Sequence, residues 1–505
     1  IASMLGIAGS GGVWVVVPPD LPQIRIEEIL AESEAEIVIT NCAYLGMFEN
    51  LPQLCLLSES VSTEGEWCEI TAQTTAPAYM ISTSGSTGRP KCAVVPHKAI
   101  VNFAYAMKPY YPRGGILSIC NTGFDAFLLE TIAALLCGRT VIIATETECN
   151  NPEALAGLIR NYGVSFLATT PSRLNALLRN ESFANAISNF ESIVCGGEPL
   201  SGELVQKVKN LTRARIYNQY GPSETAIGVS IKEVNNSEEI TIGKAMQNCR
   251  LYILDTHNLP VPVGGVGELW IGGDCVGLGY QGQDELTACS FAESPFEIGE
   301  RIYRSGDKAY ITESGEIALV GRLDDQVKLH GLRIDLNEIS ARLASYPGIN
   351  SAAVKLIEGE SSWVAAYYTA EQAINEEDLL AYLAARLPLY MLPAALQQLA
   401  TLPLNANGKI DLKALPIPEI TKKYAGLAGI NAEPVLAIFR HVLQKDDLQA
   451  EDDFFTSGGD SLGAMMIVSE IADQFDIEIK QTDIYAFRSA AALAGHLATF
   501  KPELA

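Results

Sequence analysis

Strand-like and helix-like patterns alternate through most of the chain, and this alternation most constrains the fold. The helical segment Leu128–Cys137 is followed by the strand-like run Gly138–Ala144, and Ala154–Tyr162 is followed by Ser165–Ala168. Strands that alternate with helices typically form parallel sheets covered by helices. The sequence therefore predicts an α/β fold with layered sheets and helices from residue 1 to about residue 321.

The pattern changes three times beyond this region. Short strands separated by glycines over Val261–Gly282 predict a small β-barrel-like portion of the large subdomain. A boundary at Gly321–Asp325 precedes helix and strand patterns typical of a compact α+β unit. Prolines in Leu415–Glu419 begin a linker. We therefore expect a large subdomain at 1–323, a small α+β subdomain at 324–414 and a linker at 415–430.

The remainder of the chain, residues 431–505, is helical in pattern. One segment carries apolar residues at helical spacing, namely Val435, Ile438, Phe439, Val442 and Leu443. A second helix is predicted after Ser461 and a third over about Ala490–Ala498. These patterns predict an all-α helix bundle.

The first residues predict a helix end, a glycine turn and a buried strand. The apolar run Met4–Val17 is too short and too rich in glycine for a membrane span, and Pro18 and Pro19 end it. Its strand-like part, Val13–Val17, follows the glycines, whereas a dinucleotide-binding fingerprint needs a strand before them. Because the pattern starts inside such a unit, we expect the large subdomain to be truncated at its start.

Charge and cysteine content restrict the partners and the compartment. A formal net charge of −25 argues against a nucleic-acid groove, which needs surplus Lys and Arg. The eleven cysteines contain no C-x-x-C pair and no metal-type Cys/His spacing. Reduced thiols and a cytoplasmic location are therefore expected, with no nucleic-acid or membrane partner.

The segment Thr83–Lys91 has the composition of an anion-binding loop. It combines hydroxyls, glycines and a lysine directly after the strand-like Tyr79–Ile81. Glycines allow backbone N–H groups to approach a phosphate, and hydroxyls and lysine add donors and charge. It is not a Walker loop, because Arg89 and Pro90 follow Gly88. The simpler alternative is a mobile Ser/Gly linker between two strands.

Several motifs in fixed order resemble the adenylation domains of nonribosomal peptide synthetases, members of the ANL adenylate-forming superfamily. The motifs are Thr83–Lys91, Phe124–Ala126, Asn218–Thr225, Tyr303–Asp307, Gly321–Gly331 and Asn407–Asp411. Asp460–Leu462 resembles the attachment site of a peptidyl carrier (thiolation) domain. The resemblance covers nearly the whole chain. It implies ATP-dependent activation of an amino acid as aminoacyl-AMP with release of pyrophosphate, then transfer to a phosphopantetheine thiol during nonribosomal peptide biosynthesis.

The resemblance also implies a binding site for ATP and Mg²⁺. Glu224 would hold Mg²⁺, and Thr225 would donate a hydrogen bond to phosphate. Tyr220 would stack on adenine, and Lys409 would bridge the substrate carboxylate and the α-phosphate. The other nucleotide-binding positions implied are Thr83, Ser84, Gly85, Ser86, Thr87, Gly88, Lys91, Gly196, Gly197, Asn218, Asp307 and Arg322.

Two further parts of the resemblance concern movement and transfer. Asp324 would be the hinge residue, and Gly331 would reach the site in a second, thioester-forming orientation. Ser461 would carry phosphopantetheine, added by a phosphopantetheinyl transferase, although a serine at a helix start is usually only an N-cap. Other synthetase domains, such as condensation domains, are the implied partners.

The implied substrate pocket contains one acidic residue and a small, mainly apolar lining. The implied positions are Asp125, Ala126, Leu129, Ala168, Ile193, Cys195, Gln219, Ile227 and Gly228. A buried carboxylate at Asp125 can pair with an α-ammonium group. We therefore expect an amino acid with a neutral, mainly hydrophobic or sizeable uncharged side chain.

The sequence departs from the family pattern at four positions, Cys92, Phe127, His330 and Asn337, and none of them removes a catalytic group. Two alternative functions fit the sequence less well. An acyl or aryl acid ligase acting with coenzyme A is disfavoured by the carrier and by Asp125. A non-catalytic docking scaffold is disfavoured by intact Glu224, Asp307 and Lys409.

Overall fold

The computed structural model describes eleven stretches of the chain, which form two compact units. The described residues are 1–48, 54–56, 73–85, 88–324, 326–329, 332–358, 362–404, 410–418, 432–459, 461–477 and 479–500. The larger unit comprises 1–85, 89–144 and 153–333, and the smaller one comprises 86–88, 145–152 and 334–505. The predicted site residues Ser86, Thr87, Gly331 and Lys409 lie outside the described residues.

The main sheet of the larger unit confirms the predicted α/β architecture. Its seven described strands lie in the order Lys244–Ala245, Ser230–Glu233, Arg215–Tyr220, Ser192–Gly196, Val164–Thr169, Gly115–Ser118 and Val141–Ile143. The last five are mutually parallel, and the first two pair antiparallel. Parallel strands buried on both faces need nearly continuous apolar sequence, as in Val164–Thr169.

A second sheet positions the predicted anion loop. Its strands, in spatial order, are Trp14–Val15, Pro77–Thr83, Lys91–Pro96 and Gly279–Tyr280. Pro77–Thr83 and Lys91–Pro96 pair antiparallel with Thr83 opposite Lys91, so the loop begins and ends at neighbouring backbones. The predicted first strand is also present, because Trp14–Val15 pairs with Pro77–Thr83.

The β-barrel-like portion expected around Val261–Gly282 is replaced by an open antiparallel sheet in the part of the chain that the structure describes. Its strands are Cys249–Leu254, Gly267–Gly273, Arg301–Ile311, Phe291–Glu293 and Ile317–Arg322. Arg301–Ile311 pairs with three of the others, and no pairing closes the described strands into a ring. Short strands separated by glycines therefore form an open sheet among the described residues. Val38–Thr40 pairs separately with Leu54–Leu56.

Helices cover the sheets of the larger unit around one main core. The helices are Ala2–Gly9, Gln23–Glu32, His97–Met107, Ala126–Glu130, Ile132–Leu136, Pro152–Tyr162, Pro171–Leu177, Glu181–Ala186, Gly202–Leu211 and Asp284–Ser290. Short 3₁₀ helices span Cys42–Phe48, Ile187–Asn189 and Ser223–Thr225. The predicted helix Leu128–Cys137 is interrupted at Thr131, whose hydroxyl donates to the Phe127 carbonyl (2.6 Å). This bond replaces the backbone bond that a continuous helix would make.

The smaller unit contains an α+β part and a helical part. The strands Ile349–Ile357, Trp363–Ala370 and Ala395–Gln398 form one sheet. Gln326–Leu329 pairs with Leu332–Asp335, the strand in which the chain passes from the larger unit to the smaller one. The helices are Glu146–Cys149, Leu336–Ala344, Glu376–Ala384, the 3₁₀ helix Leu389–Met391, Glu433–Leu443, Ser461–Phe475, Gln481–Ala486 and Ala490–Phe500.

The C-terminal helices confirm the predicted all-α bundle. The five apolar residues predicted for the first helix are buried in one core with Phe454 and Leu493. The short helix Gln481–Ala486 adds to the three that the sequence predicted. Among the described residues, no helix combines the length and apolar character needed to cross a bilayer.

Candidate active site

The site lies where the strand Arg215–Tyr220 ends. The chain turns at Gly221 and enters the 3₁₀ helix Ser223–Thr225. Glu224 and Thr225 are both fully buried there. Carboxyl ends of parallel strands are the usual position for ligand sites in α/β folds. The sequence-predicted metal and phosphate residues therefore occupy a suitable edge.

Glu224 is enclosed by three polar partners from distant parts of the sequence. Arg333 Nη1 lies 2.9 Å from Oε2, Tyr280 donates its hydroxyl to Oε1 at 2.8 Å, and Lys91 Nζ lies 3.5 Å from Oε1. Burial alone would raise the pKa of Glu224, but the charges of Arg333 and Lys91 hold that pKa well below its usual range. The carboxylate is therefore charged at neutral pH.

Lys91 links the predicted anion loop to this carboxylate. Its Nζ donates to the Tyr280 hydroxyl at 2.9 Å and lies 4.3 Å from the centre of the Tyr280 ring. Burial, and then the charge of Glu224, raise the pKa of Tyr280, so its hydroxyl remains a donor. Sequence reasoning identified Lys91 and Glu224 but missed Tyr280 and Arg333, which no local motif connects to them.

Asp307 forms a second buried acidic centre with two of its predicted companions. The Tyr220 hydroxyl donates to Oδ2, and Arg322 Nη1 donates to Oδ1 at 2.7 Å. Arg322 lies directly opposite Asp307 in an antiparallel strand pair. It also donates to Asp324, the predicted hinge residue. Asn218, another predicted nucleotide-binding residue, donates its side-chain N–H to the Thr241 carbonyl at 2.9 Å.

A hydrogen-bonded chain connects the two acidic centres. Gln326 Oε1 accepts from Arg333 Nε at 2.6 Å and from Arg322 Nη2 at 3.0 Å. Since Arg333 contacts Glu224 and Arg322 contacts Asp307, the two carboxylates share one network. Gln326 was not among the site residues predicted from the sequence.

The glycines of the site allow close backbone approaches. A Cβ on Gly85 would lie 2.2 Å from the Arg89 carbonyl oxygen, and one on Gly196 would lie 3.2 Å from the Gln219 carbonyl oxygen. Gly88 and Gly197 have positive φ values of 84° and 81°, which side-chain-bearing residues rarely adopt. Glycine is therefore required at both predicted backbone-contact segments.

The first two hydroxyls of the anion loop have protein partners. Thr83 Oγ1 lies 3.5 Å from the Lys91 carbonyl oxygen. Ser84 Oγ donates to the Arg333 carbonyl at 3.3 Å. The described start of the loop is thus held against the same arginine that contacts Glu224.

Asp125 provides a buried acceptor with unused capacity. It lies directly before the helix Ala126–Glu130, and its Oδ2 is buried without a hydrogen-bond partner among the described residues. Burial raises the pKa of Asp125, a hydrogen bond from Ser223 lowers it, and the charge of Glu224 raises it further. An unpaired buried acceptor is costly, so this oxygen is suited to a cationic ligand.

Strand register divides the predicted pocket residues. Ala168 lies opposite Val194, and Gln219 lies opposite Gly196, which places both on one face of the sheet. Ile193 and Cys195 alternate with these partners and lie on the other face. Burial raises the pKa of the Cys195 thiol to about 12, so the thiol is neutral.

Gly228 makes room for the amide of Gln219. A Cβ on Gly228 would lie 2.8 Å from Gln219 Nε2 and 3.0 Å from Phe103 Cε2. Gln219 Nε2 also lies 3.3 Å from Met107 Sδ. The helix His97–Met107 therefore supplies two neighbours of the predicted pocket that sequence reasoning did not identify. Leu129 and Ile227 are buried in the same core.

Two protein-family models match the chain. Residues 1–281 match the model of the AMP-binding enzyme family, and residues 433–497 match that of the phosphopantetheine attachment site. Both models agree with the resemblance that the motifs indicated.

Two relatives and a solved structure are similar to nearly the whole chain. The chain is 35% identical to tyrocidine synthase 2 of Brevibacillus parabrevis and 33% identical to gramicidin S synthase 2 of Aneurinibacillus migulanus. Each match covers 98% of this chain but only 14% and 11% of those relatives, respectively. A solved structure of a holo nonribosomal peptide synthetase protein with adenylation and peptidyl carrier domains, bound to a vinylsulfonamide inhibitor, has a TM-score of 0.75. It is 24% identical, and the match covers 97% of this chain and 84% of that one.

Proposed function

We propose that the chain is an adenylation and carrier module of a nonribosomal peptide synthetase. The chain belongs to the AMP-binding enzyme family and carries a phosphopantetheine attachment domain. It activates an amino acid with ATP as aminoacyl-AMP, releases pyrophosphate, and transfers the aminoacyl group to a thiol carried by Ser461. The chain spans about a tenth of the curated relatives it matches, so the assembly around it belongs to the same proposal.

The observation that carries this proposal is the buried Glu224 carboxylate, which interacts with two other acidic residues. Glu224 and Asp307 are connected through one network, and the charge of Glu224 acts on Asp125. The protein supplies cations for Glu224 and Asp307, whereas Oδ2 of Asp125 has no hydrogen-bond partner among the described residues. The three carboxylates supply suitable ligands for a metal ion, an ammonium group and sugar hydroxyls.

The residues present fit Mg²⁺ and a nucleotide. Glu224 offers a charged oxygen ligand, which Mg²⁺ prefers, and Mg²⁺ when bound would neutralise phosphate charge. Asp307 has the acceptor capacity to bind ribose hydroxyls, and Lys91 supplies a cation beside the anion loop. Lys409, outside the described residues, is the proposed cation for the α-phosphate as negative charge develops.

The free oxygen of Asp125 supports an α-amino acid as the substrate. An ammonium group would satisfy Oδ2 and offset the repulsion between the Asp125 carboxylate and the negative charge of Glu224. The surrounding residues are apolar apart from Gln219, whose amide faces Met107. We therefore propose a neutral, mainly hydrophobic or sizeable uncharged side chain.

The carrier part provides the acceptor for the activated amino acid. Ser461 begins the helix Ser461–Phe475, a position where backbone donors favour a phosphodiester. Phosphopantetheine, when attached, supplies the thiol that accepts the aminoacyl group as a thioester. A phosphopantetheinyl transferase, condensation domains and a cytoplasmic location complete the proposal.

Exchange of labelled pyrophosphate into ATP tests the first half of the reaction. The panel contains neutral and charged amino acids together with aryl and acyl acids that lack an amine. We expect exchange with neutral amino acids, and we expect Asp125→Asn to raise KM for the amino acid far more than KM for ATP. Preference for an acid without an amine would favour a coenzyme A ligase, and silence throughout would favour a scaffold.

Two substitutions separate activation from loading. Lys409→Ala is expected to reduce exchange by about 100-fold or more, because it removes charge stabilisation that arises during the reaction. Ser461→Ala should leave exchange intact and abolish covalent loading of a labelled amino acid on the phosphopantetheinylated protein. Loading of the Ser461→Ala protein would contradict the carrier assignment.

A further inference from the structure

The carboxylate proposed to bind the metal already has cationic partners in the protein. Both oxygens of Glu224 are engaged, Oε2 by Arg333 at 2.9 Å and Oε1 by Tyr280 and Lys91. Glu224 is fully buried. A buried carboxylate without a counter-charge is strongly unfavourable, so these cations satisfy a requirement of the metal-free protein.

Arg333 is held in this position by contacts at three points of the residue. Its Nη1 meets Glu224, its Nε donates to Gln326 at 2.6 Å, and its carbonyl accepts from Ser84 at 3.3 Å. The opposite charge of Glu224 also raises the pKa of Arg333 well above its usual value, against the effect of burial. The arginine is therefore charged and oriented, and its contact with Glu224 is not a surface ion pair.

A second cation from the same pair of strands lies beside Tyr220, the residue proposed to stack on adenine. Lys328, in Gln326–Leu329, has its Nζ 5.1 Å from the centre of the Tyr220 ring. Tyr220 is the residue that the motifs assign to adenine stacking. Two cations from neighbouring strands thus occupy positions that a metal–nucleotide complex would need.

We propose that Arg333 is an internal cation that takes the place of Mg²⁺ at Glu224, so that metal binding and the Arg333–Glu224 pair exclude each other. The proposal rests on the proposed function, because that function assigns the metal to Glu224. Because Tyr280 and Lys91 already occupy Oε1, a divalent cation at Glu224 would compete with the Arg333 guanidinium for Oε2 and for the charge of the same buried carboxylate. Arg333 therefore withdraws when the metal binds and returns when the metal leaves.

Gln326 couples this exchange to Asp307, the carboxylate proposed to bind the ribose hydroxyls. Its single Oε1 accepts from both Arg333 and Arg322, and Arg322 binds Asp307. Withdrawal of Arg333 frees half of the acceptor capacity of that oxygen and allows Arg322 to shift. Gln326 is therefore a positioning residue between the metal site and the sugar site.

Binding of Mn²⁺ alone, followed by electron paramagnetic resonance of the free ion, tests the proposal without any turnover. Arg333→Gln is expected to tighten Mn²⁺ binding by about tenfold or more, because a competing charge is removed from the same carboxylate. Gln326→Leu keeps the arginine but releases its Nε, and it should tighten binding to a smaller extent. Arg250→Gln, which removes an arginine paired with Glu300, serves as the matched control and should bind as wild type does.

The outcomes separate this proposal from the proposed function. Unchanged or weaker Mn²⁺ binding in both the Arg333 and Gln326 variants would overturn the competition, even if wild-type protein catalyses pyrophosphate exchange. Tighter binding supports it, and the Gln326 variant keeps the test decisive if Arg333→Gln does not fold. Loss of exchange activity for every amino acid, with tighter Mn²⁺ binding in the variants, would count against the proposed function alone.

Discussion

The buried Glu130 carboxyl makes the stability of the larger unit depend on pH. Its Oε2 accepts from the Ser118 hydroxyl at 3.1 Å and from the backbone N–H groups of Ile119 and Cys120 at 3.0 and 2.9 Å. Burial raises the pKa of Glu130 from the ordinary 4.5 to about 7, although the Cys120 bond and the charge of Arg173 oppose that rise. Glu130 also ends the helix that begins directly after Asp125.

The sign follows from the raised pKa. Below pH 4.5 the carboxyl is protonated in both folded and unfolded chains, and it imposes no penalty. Between pH 4.5 and about 7 the unfolded chain loses the proton first, so folding becomes less favourable as the pH rises. Above about pH 7 the full difference is present, about 3 kcal/mol at about 1.4 kcal/mol per pH unit.

Glu130→Gln removes this dependence. We expect the free energy of opening in wild type, minus that in the variant, to fall by about 3 kcal/mol between pH 4.5 and 8. Hydrogen–deuterium exchange of peptides that contain the strand Gly115–Ser118, corrected for intrinsic exchange, measures the difference locally. Glu233→Gln, the same substitution at an exposed strand residue, is the control. A difference between wild type and Glu130→Gln that stays constant across this range would refute the reasoning.

Two other predictions concern stability. Gly221→Ala would place a Cβ 2.5 Å from Gly228 Cα and 2.6 Å from the Ile227 carbonyl oxygen, so we expect a loss of about 3 kcal/mol or more. Gly157→Ala, inside the helix Pro152–Tyr162 with open space around its Cβ, should instead stabilise by about 0.5–1 kcal/mol, and thermal melts that rank the two variants otherwise would contradict this. Arg488→Met leaves the buried carboxylate of Asp453 without its cation (2.8 Å), which should destabilise the carrier helices by about 3–5 kcal/mol. Hydrogen–deuterium exchange of those helices measures the effect, and protection equal to wild type would show that the ion pair contributes nothing.

Local patterns in the sequence were sufficient for the architecture but not for the closure of the β-rich region. Continuous apolar runs such as Val164–Thr169 indicate a strand buried on both faces, and the parallel sheet follows from their alternation with helices. Closure of a sheet depends on which strands pair at its edges, and no local pattern records that pairing. The prediction of a barrel-like portion was therefore wrong for the described residues, whereas the predicted short strands are present there.

The active site shows the same limit at the level of single residues. Glu224 belongs to a recognisable motif, but Tyr280 and Arg333, which bind it, lie 56 and 109 residues away in the sequence. The motif match gives the nine pocket positions as one set. The strand register, however, places Ile193 and Cys195 on one face of the main sheet and Ala168 and Gln219 on the other. Three-dimensional pairing, rather than residue type, decides both facts.

A strained turn connects the proposed metal site to the proposed pocket. Ala226 and Ile227 follow Glu224 and Thr225 with positive φ values of 57° and 73°, a conformation unfavourable for a β-branched residue. Each such residue costs on the order of 1–3 kcal/mol, which the burial of both side chains in the main core offsets. The turn is closed by the Gly228 N–H, which donates to the Ala226 carbonyl at 2.8 Å. Because this turn lies between Glu224 and Gly228, we expect a change in its conformation to affect the proposed metal site and the proposed pocket together.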